Sequence, residues 1–458
     1  MVMARIFKGT HCAVKICLIC AISELRMRRA KIAVVGGGAK AVAIAARARV
    51  MADLKLGVPI DVTIFEKSRI GANWTGDDGY TDGVQQLCTP IERDLGFPYH
   101  ALPDSIAEAL YRDFSWPSYL INKGGVTGGE ESFSKWVDHG CESPEHREFA
   151  AYLHWAAIKA RPNVILQEVT KLIPIGQQWQ VESRLNGRGK LNVHTSLFDG
   201  VVVTGPGPSN RVRMIGAGHR VFDGQQVWVK LKKVKSELKK LALEDSVAII
   251  GAGGTAAAIL AWLMGQGQQD RLIHIVADQP AFFSRGDSVF ENRVFNDELA
   301  WTALSKSAKQ DFVNRLSRGV VWDTVMDRVS KAKNINFVYG RARLIKSAPH
   351  GLELHVKTGS GDLLLVEPSL IFDAAGFDSW WWTKLIDDSY FRDNSRVHIQ
   401  DDLTGLVDDQ LAFTGAQWKW PNLHAPMVAT AVGPGYASLL SLGKVADRVL
   451  SRYLTGVK

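Results

Sequence analysis

Two glycine-rich segments, 215 positions apart, constrain the fold of this chain more than any other feature, because each joins a buried strand pattern to a helix pattern. The first lies in KIAVVGGGAKAVAIAARARVMADLKLGVPIDVTIFEKS, where Gly36-Gly37-Gly38-Ala39-Lys40-Ala41 reads G-x-G-x-x-A. Gly36 permits the tight turn, Gly38 lets backbone approach a pyrophosphate, and Ala41 lets helix and strand pack closely. The pyrophosphate is expected on the helix N-terminus. Glu66, 30 residues after Gly36, ends a second β-branched strand, where a carboxylate accepts hydrogen bonds from an adenosine ribose. A glycine turn in an unrelated α/β domain is the bland alternative, and the second strand with its terminal acid argues against it.

The second segment, EDSVAIIGAGGTAAAILAWLMGQGQQDRLIHIVAD, repeats the pattern with Gly251-Ala252-Gly253-Gly254-Thr255-Ala256. The separation is too great for one mononucleotide unit, so two nucleotides are expected: FAD at the first site and a nicotinamide at the second. The fold class follows as α/β, with two Rossmann-like dinucleotide-binding domains and an interleaved substrate-binding region. The boundaries read as an extension at 1–30, the first part of the FAD domain at 31–215, the nicotinamide domain at 216–378, and a return to the FAD domain with a substrate segment at 379–458. A 2′-phosphate wants an arginine at the end of the second strand, whereas a free ribose wants an acid. This strand ends at Asp278 and the nearest arginine in sequence is Arg285, so the local residues lean against a tight 2′-phosphate clamp, a surface aspartate at a strand end being the bland alternative and NADH remaining possible.

Composition removes several other readings. The net charge of +8 suggests nucleic acid, but residues 1–30 carry six basic side chains against Glu24, leaving only +3 for the remainder. The apolar stretch from Cys12 to Ile22 is interrupted by Lys15 and too short to span a bilayer. Met27 is an alternative start, and no other run suits a membrane span. Cys17 and Cys20 form a C-x-x-C without a second pair or nearby histidines, so no metal site is assigned. Cys88 and Cys141 alone remain in the body, a reduced profile that places the chain in the cytoplasm. No nucleophile-base pair stands out as a catalytic set, and the twelve histidines are scattered, which suits core or surface roles.

Four stretches then carry a resemblance: VVGGGAKAVAIAA at 34–46, GANWTGDDGYTDGVQQLCTPIERDLGFPY at 71–99, EHREFAAYLHWAA at 145–157 and SRGDSVFENRVFND at 284–297. In order and content they resemble the flavin-dependent N-hydroxylating monooxygenases of lysine and ornithine, most closely the mycobactin-type L-lysine N6-hydroxylases of siderophore biosynthesis. The resemblance implies FAD, NADPH and O2, a flavin C4a-hydroperoxide as oxygen donor, an amino-acid amine as substrate, and a homo-oligomer. It places Trp74 and the Gln85-Gln86 pair at the flavin, Arg93 on the substrate carboxylate, and Asn292 on the amino-acid end of the substrate. Gly251, Gly253, Thr255, Ala256 and Arg285 go to the nicotinamide nucleotide. Ser438 and Leu440 belong to a segment closing over the flavin, with Ser441 offering a hydroxyl to the substrate.

There are departures from the family pattern. Arg93 stands where lysine is usual, which keeps the charge but offers a bidentate fork. Ser317-Arg318-Gly319-Val320-Val321 replaces an Asn-Tyr pair of ornithine hydroxylases, which favours lysine. Ala374-Ala375-Gly376-Phe377 replaces Ala-Thr-Gly-Tyr, so NADPH rests on the resemblance against the residues around Asp278. A Baeyer-Villiger or xenobiotic-amine monooxygenase shares the architecture, and a non-enzymatic redox sensor is the remaining alternative. A flavin disulfide reductase would need a cysteine pair near the flavin, where only Cys88 lies.

Overall fold

The structure, a computed structural model, describes residues 29–454 apart from 78, 128, 186–188, 217, 286–287, 318–320, 349–350, 392–405 and 414–419. The leader with its three cysteines and residues 318–320 of the replaced Asn-Tyr region therefore lie outside the described residues.

β1 (Ala30–Val35), α1 (Ala39–Asp53) and β2 (Ile60–Phe65) form the first strand-helix-strand unit. α2 (His146–Ala160) leads into β3 (Asn163–Ile165), and β4 (Gly200–Val203) follows a three-stranded antiparallel flap. Ile32, Val34, Ile64, Val201 and Val202 are buried, as expected of parallel strands covered on both faces, whose apolar runs are continuous instead of alternating. The second unit contains β5 (Val221–Asp223), β6 (Val247–Ile250), α3 (Gly254–Gly265), β7 (Ile273–Ala277), β8 (Ile335–Tyr339) and β9 (Leu370–Asp373). Its sheet runs β8-β7-β6-β9-β5, all parallel. The chain then comes back: β10 (Asn422–His424) pairs with β4, giving the first sheet the order β10-β4-β1-β2-β3. α4 (Val289–Asn296) leaves the second unit, and α5 (Leu442–Ser451) closes the chain against α1.

Arg213–Ile215 already pairs with Arg341–Ala348 of the second unit's four-stranded sheet, so the crossing between the units precedes residue 213. α1 carries no polar stripe because α2 and α5 pack around it over the sheet, burying even Lys40 and Arg47. Its alanines make that close approach possible. Trp380, Trp382, Phe413 and Trp420 stack into one aromatic cluster in the first core, which gives the tryptophan run a packing role.

Where the returning chain meets β4, packing is tight. His424 Nδ1 lies 2.8 Å from the Gln410 carbonyl, an acceptor only, so this nitrogen carries the proton and donates it. The Tyr453 hydroxyl donates to Nε2 at 2.7 Å. A Cβ on Gly200 would fall 1.7 Å from that hydroxyl. Gly200→Ala is expected to cost about 1–3 kcal/mol by overpacking, read from urea denaturation. Burial holds His424 down to about 4. An exposed histidine titrates at about 6.5, so the unfolded chain takes up this proton first as pH falls, and stability is lost between those values. Melting temperature should drop from pH 7 to pH 5, and the drop should shrink in His424→Gln.

Candidate functional site

Both fingerprints adopt the same backbone. Gly36 has φ +102° and Gly251 φ +103°. A side chain at Gly36 would strike Thr204 Oγ1, and one at Gly251 the Ala374 carbonyl, so both positions require glycine. Gly38 and Gly253 begin α1 and α3 without any side-chain cap, and neither helix has an acid in its first turn. Uncapped first-turn amides are an anion site. Ala41 and Ala256 are fully buried beneath them, as close helix-strand packing demands.

Gly38 is informative because the protein itself leaves it room. A Cβ there would come no nearer than 3.8 Å to the Trp74 ring, yet the glycine lines a cavity. That open side is where a pyrophosphate would approach, so the residues fit a dinucleotide. Glu66 stands behind the turn: Oε2 accepts the Gly37 N–H at 2.7 Å and Oε1 accepts the Ser68 N–H at 3.0 Å. The carboxylate thus holds the turn as well as lying at the ribose position.

The cavity wall beyond Gly38 comes from both units and from the chain end: Trp74, Thr204, Phe377, Met427 and Ser438 all contribute. Tyr80 clamps the units together, its hydroxyl donating to the Gly207 carbonyl at 2.6 Å and its ring meeting Phe377 edge-on at 4.8 Å. Two lining residues carry no assignment from sequence. Lys40 Nζ donates to the carbonyls of Ala437 and Ser438, at 3.2 and 3.0 Å, and burial lowers its pKa to about 8. His146 lies 2.6 Å from Thr81 Oγ1 through Nδ1, and burial lowers it to about 4, leaving it neutral at ordinary pH. His146 is thus a buried, neutral, hydrogen-bonded histidine, in keeping with a core role, although it also lines this cavity. A lysine inside an otherwise apolar helix start was a signal for the first; no local pattern marked the second.

Arg93 and Asn292, 199 positions apart, line one cavity of about 860 Å³. Arg93 sits on a loop anchored by the buried Asp94, which accepts from Tyr99 Oη at 2.6 Å and from the Trp116 N–H at 2.9 Å. Burial pushes Asp94 up to about 6. Asn292 is presented by α4, whose N-cap Ser288 accepts from the Glu291 N–H. Asp297 caps the next short helix, Glu298–Thr302, and pairs with Arg293 at 3.2 Å, while Lys444 of α5 pairs with Glu298 at 3.1 Å.

Three expected contacts fall elsewhere. Gln85 does not line the flavin cavity; its amide reaches across to the Ala258 carbonyl of α3, at 3.4 Å, and so braces the second fingerprint helix. The Ser441 hydroxyl is buried against the Phe295 carbonyl and Asn296 Oδ1, at 3.2 and 3.3 Å, a clasp between α5 and α4 instead of a substrate contact. Leu440 is buried, and its N–H donates to Ser438 Oγ at 3.0 Å, shaping the turn whose carbonyls receive Lys40. In each case the segment is placed near the site while the polar atom is spent on the protein.

The second cavity, also about 860 Å³, is lined by Gly251, Gly253 and the strand ends around Asp278. Thr255 lies in the first turn of α3, packed towards Gly224. The side chain of Arg285 lies outside the described residues. Asp278 accepts a hydrogen bond from Arg341 Nη2 at 2.8 Å, a partner 63 positions away that sequence proximity could not reveal. Among the described residues no helix is long and apolar enough to cross a membrane.

Comparison with known proteins agrees with this geometry. The family model described as L-lysine 6-monooxygenase/L-ornithine 5-monooxygenase matches residues 112–340. The L-lysine N6-monooxygenase MbtG of Mycolicibacterium paratuberculosis is 32% identical over 92% of this chain and 95% of its own length. Its counterpart from Mycobacterium tuberculosis is also 32% identical, over 92% and 94%. Among solved structures, Lysine Monooxygenase NbtG from Nocardia farcinica superposes with a TM-score of 0.74 at 29% identity, covering 92% of this chain and 99% of that one. An ornithine N-hydroxylase from Kutzneria shares the fold at a TM-score of 0.67 and 16% identity, covering 93% and 99%.

Lys40 generates a test of the first cavity. Its folded pKa lies below that of an exposed lysine, so burying this charge costs stability below about pH 8, and the cost disappears as pH rises towards about 10.4. A pyrophosphate at the Gly38 amides would favour the charged form. FAD binding to apoprotein near pH 9 is therefore expected to take up a proton, seen by calorimetry in buffers of different ionisation enthalpy. In Lys40→Met the uptake should vanish.

Proposed function

The chain belongs to the family of L-lysine 6-monooxygenases and L-ornithine 5-monooxygenases, and we infer that it hydroxylates the side-chain amine of L-lysine or a related amino acid. It is a flavin-dependent N-hydroxylating monooxygenase of the siderophore-biosynthesis type, using FAD, NADPH and O2. A cytoplasmic homo-oligomer completes this reading.

The observation that carries the substrate assignment is the convergence of Arg93 and Asn292 on one cavity. Arg93 would hold the carboxylate through two parallel N–H donors, and Asn292, with both a donor and an acceptor, would orient the amino-acid end. Gly36, Gly38, Ala41 and Glu66 would hold FAD, with Trp74 and Ser438 in the wall of the same cavity. Gly251, Gly253, Thr255 and Ala256 would hold the nicotinamide coenzyme. Bound flavin supplies the oxygen-transfer chemistry, and the protein positions the amine and keeps water out.

The protein must also deliver an amine with a free lone pair, since an ammonium cannot accept oxygen. An exposed lysine amine has a pKa of about 10.4. Desolvation disfavours the charged form, so an amine carried out of water into the site would lose its proton more readily.

The test is formation of hydroxylamine product from L-lysine by the FAD-loaded protein with NADPH and O2. Hydrogen peroxide as sole product with lysine, ornithine and their acylated or shortened relatives would sink the reading. Arg93→Ala should raise the substrate KM roughly 10- to 100-fold, the range of a lost charge-assisted contact, and leave kcat little changed.

A further inference from the structure

The second cavity holds a charge that the end of its own ribose-binding strand lacks. β7 ends at Ala277, and Asp278 follows where an acid binds the ribose of an unphosphorylated coenzyme. β8 runs parallel beside it, with Ala277 paired to Tyr339 and the Gly340 N–H donating to the Ala277 carbonyl at 2.7 Å. Arg341 therefore emerges next to Asp278 at the same C-terminal edge of the sheet. Both line the cavity with Gly251 and Gly253, and Arg341 is the one basic side chain among the described lining residues. A Cβ on Gly340 would lie 2.7 Å from the Lys357 carbonyl, so the backbone that sets Arg341 in place is itself sterically held. Arg341 also opens the strand Arg341–Ala348, which pairs antiparallel with Gly351–Lys357 with a register shift between Ala342 and Leu344.

We propose that Arg341 binds the 2′-phosphate of NADPH, and that its ion pair with Asp278 sets the choice between phosphorylated and unphosphorylated nicotinamide coenzymes. This rests on the family reading above, which requires such a coenzyme. The pair is exposed on both sides, 65% for Arg341 and 63% for Asp278. Exposed pairs of this kind contribute little, so the guanidinium is readily redirected. A phosphate dianion offers it a stronger, bidentate partner than a carboxylate does. Asp278 then lies beside the bound phosphate and repels it, which moderates the preference and leaves its carboxylate able to take the 2′-hydroxyl of NADH. The arginine thus reaches the phosphate from the neighbouring strand instead of from the strand that carries the ribose acid.

The test is equilibrium binding, by calorimetry, of NADP⁺, NAD⁺, 2′,5′-ADP and 5′-AMP to the FAD-loaded protein, with no turnover required. Arg341→Ala should weaken NADP⁺ and 2′,5′-ADP by about 10- to 100-fold, the range of a lost charged hydrogen bond, and leave NAD⁺ and 5′-AMP nearly unchanged. Arg341→Lys should fall between, because it keeps the charge and loses the fork. Asp278→Asn should tighten NADP⁺ relative to NAD⁺. If Arg341→Ala spares 2′,5′-ADP, or weakens it no more than 5′-AMP, the proposal is overturned while the family reading stands. Wild-type protein that binds neither dinucleotide would overturn both.

Discussion

The docking of the chain end onto the first fingerprint helix is the constraint on which the rest of the site depends. α5 lies along α1, where the buried guanidinium of Arg47 meets Asp447 and Lys40 reaches the Ala437 and Ser438 carbonyls. The same few residues reach the other way: Ser441 and Lys444 bond to the end of α4, and Glu298 receives Lys444 and Arg448. One segment therefore joins the nucleotide-binding helix to the helix that presents Asn292. Burying a lysine and an arginine in α1 carries a desolvation cost that their partners only partly offset, since both side chains keep lowered pKa values with those partners in place. The cavity geometry is thus coupled to completion of the fold, because the chain end fastens the C-terminal end of α4.

The two nucleotide units show how one backbone solution serves different partners. Their fingerprint turns superimpose in dihedral angle, in uncapped helix start and in the small residue beneath the helix. They differ at the second strand end. Glu66 is drawn inward to the Gly37 amide and Ser68, a built position close to the turn. Asp278 is exposed and is answered by Arg341 from the next strand. Between them, Tyr80, Phe377 and Gln85 bridge the units, so the wall of the first cavity is partly built by the second unit.

How much was legible in the sequence can be judged from particular residues. The fingerprints, Glu66 and the parallel α/β organisation were readable because turn, helix start and strand end are local: their residue types follow from backbone geometry within about thirty positions. Arg93 and Asn292 were reached through the family resemblance, and their shared cavity became visible only once α4 was placed over the Arg93 loop. Gln85 and Ser441 were assigned to ligands, but folding turned their polar atoms onto Ala258, Phe295 and Asn296. A segment's position near a site does not decide which way its hydrogen bonds point. Arg341 went unassigned for the complementary reason, since its neighbour Asp278 is distant in the chain.

What the sequence by itself determined was the nature and number of the nucleotide sites, because glycine spacing and apolar runs encode local backbone form, and, through the resemblance of four stretches, the family. What only the tertiary structure decided was which charges face one another. Asp278 alone read as an acid that disfavours a 2′-phosphate. Beside Arg341 it is half of an ion pair at a sheet edge, and that pairing arises from the parallel register of β7 and β8, a non-local contact no spacing along the chain records.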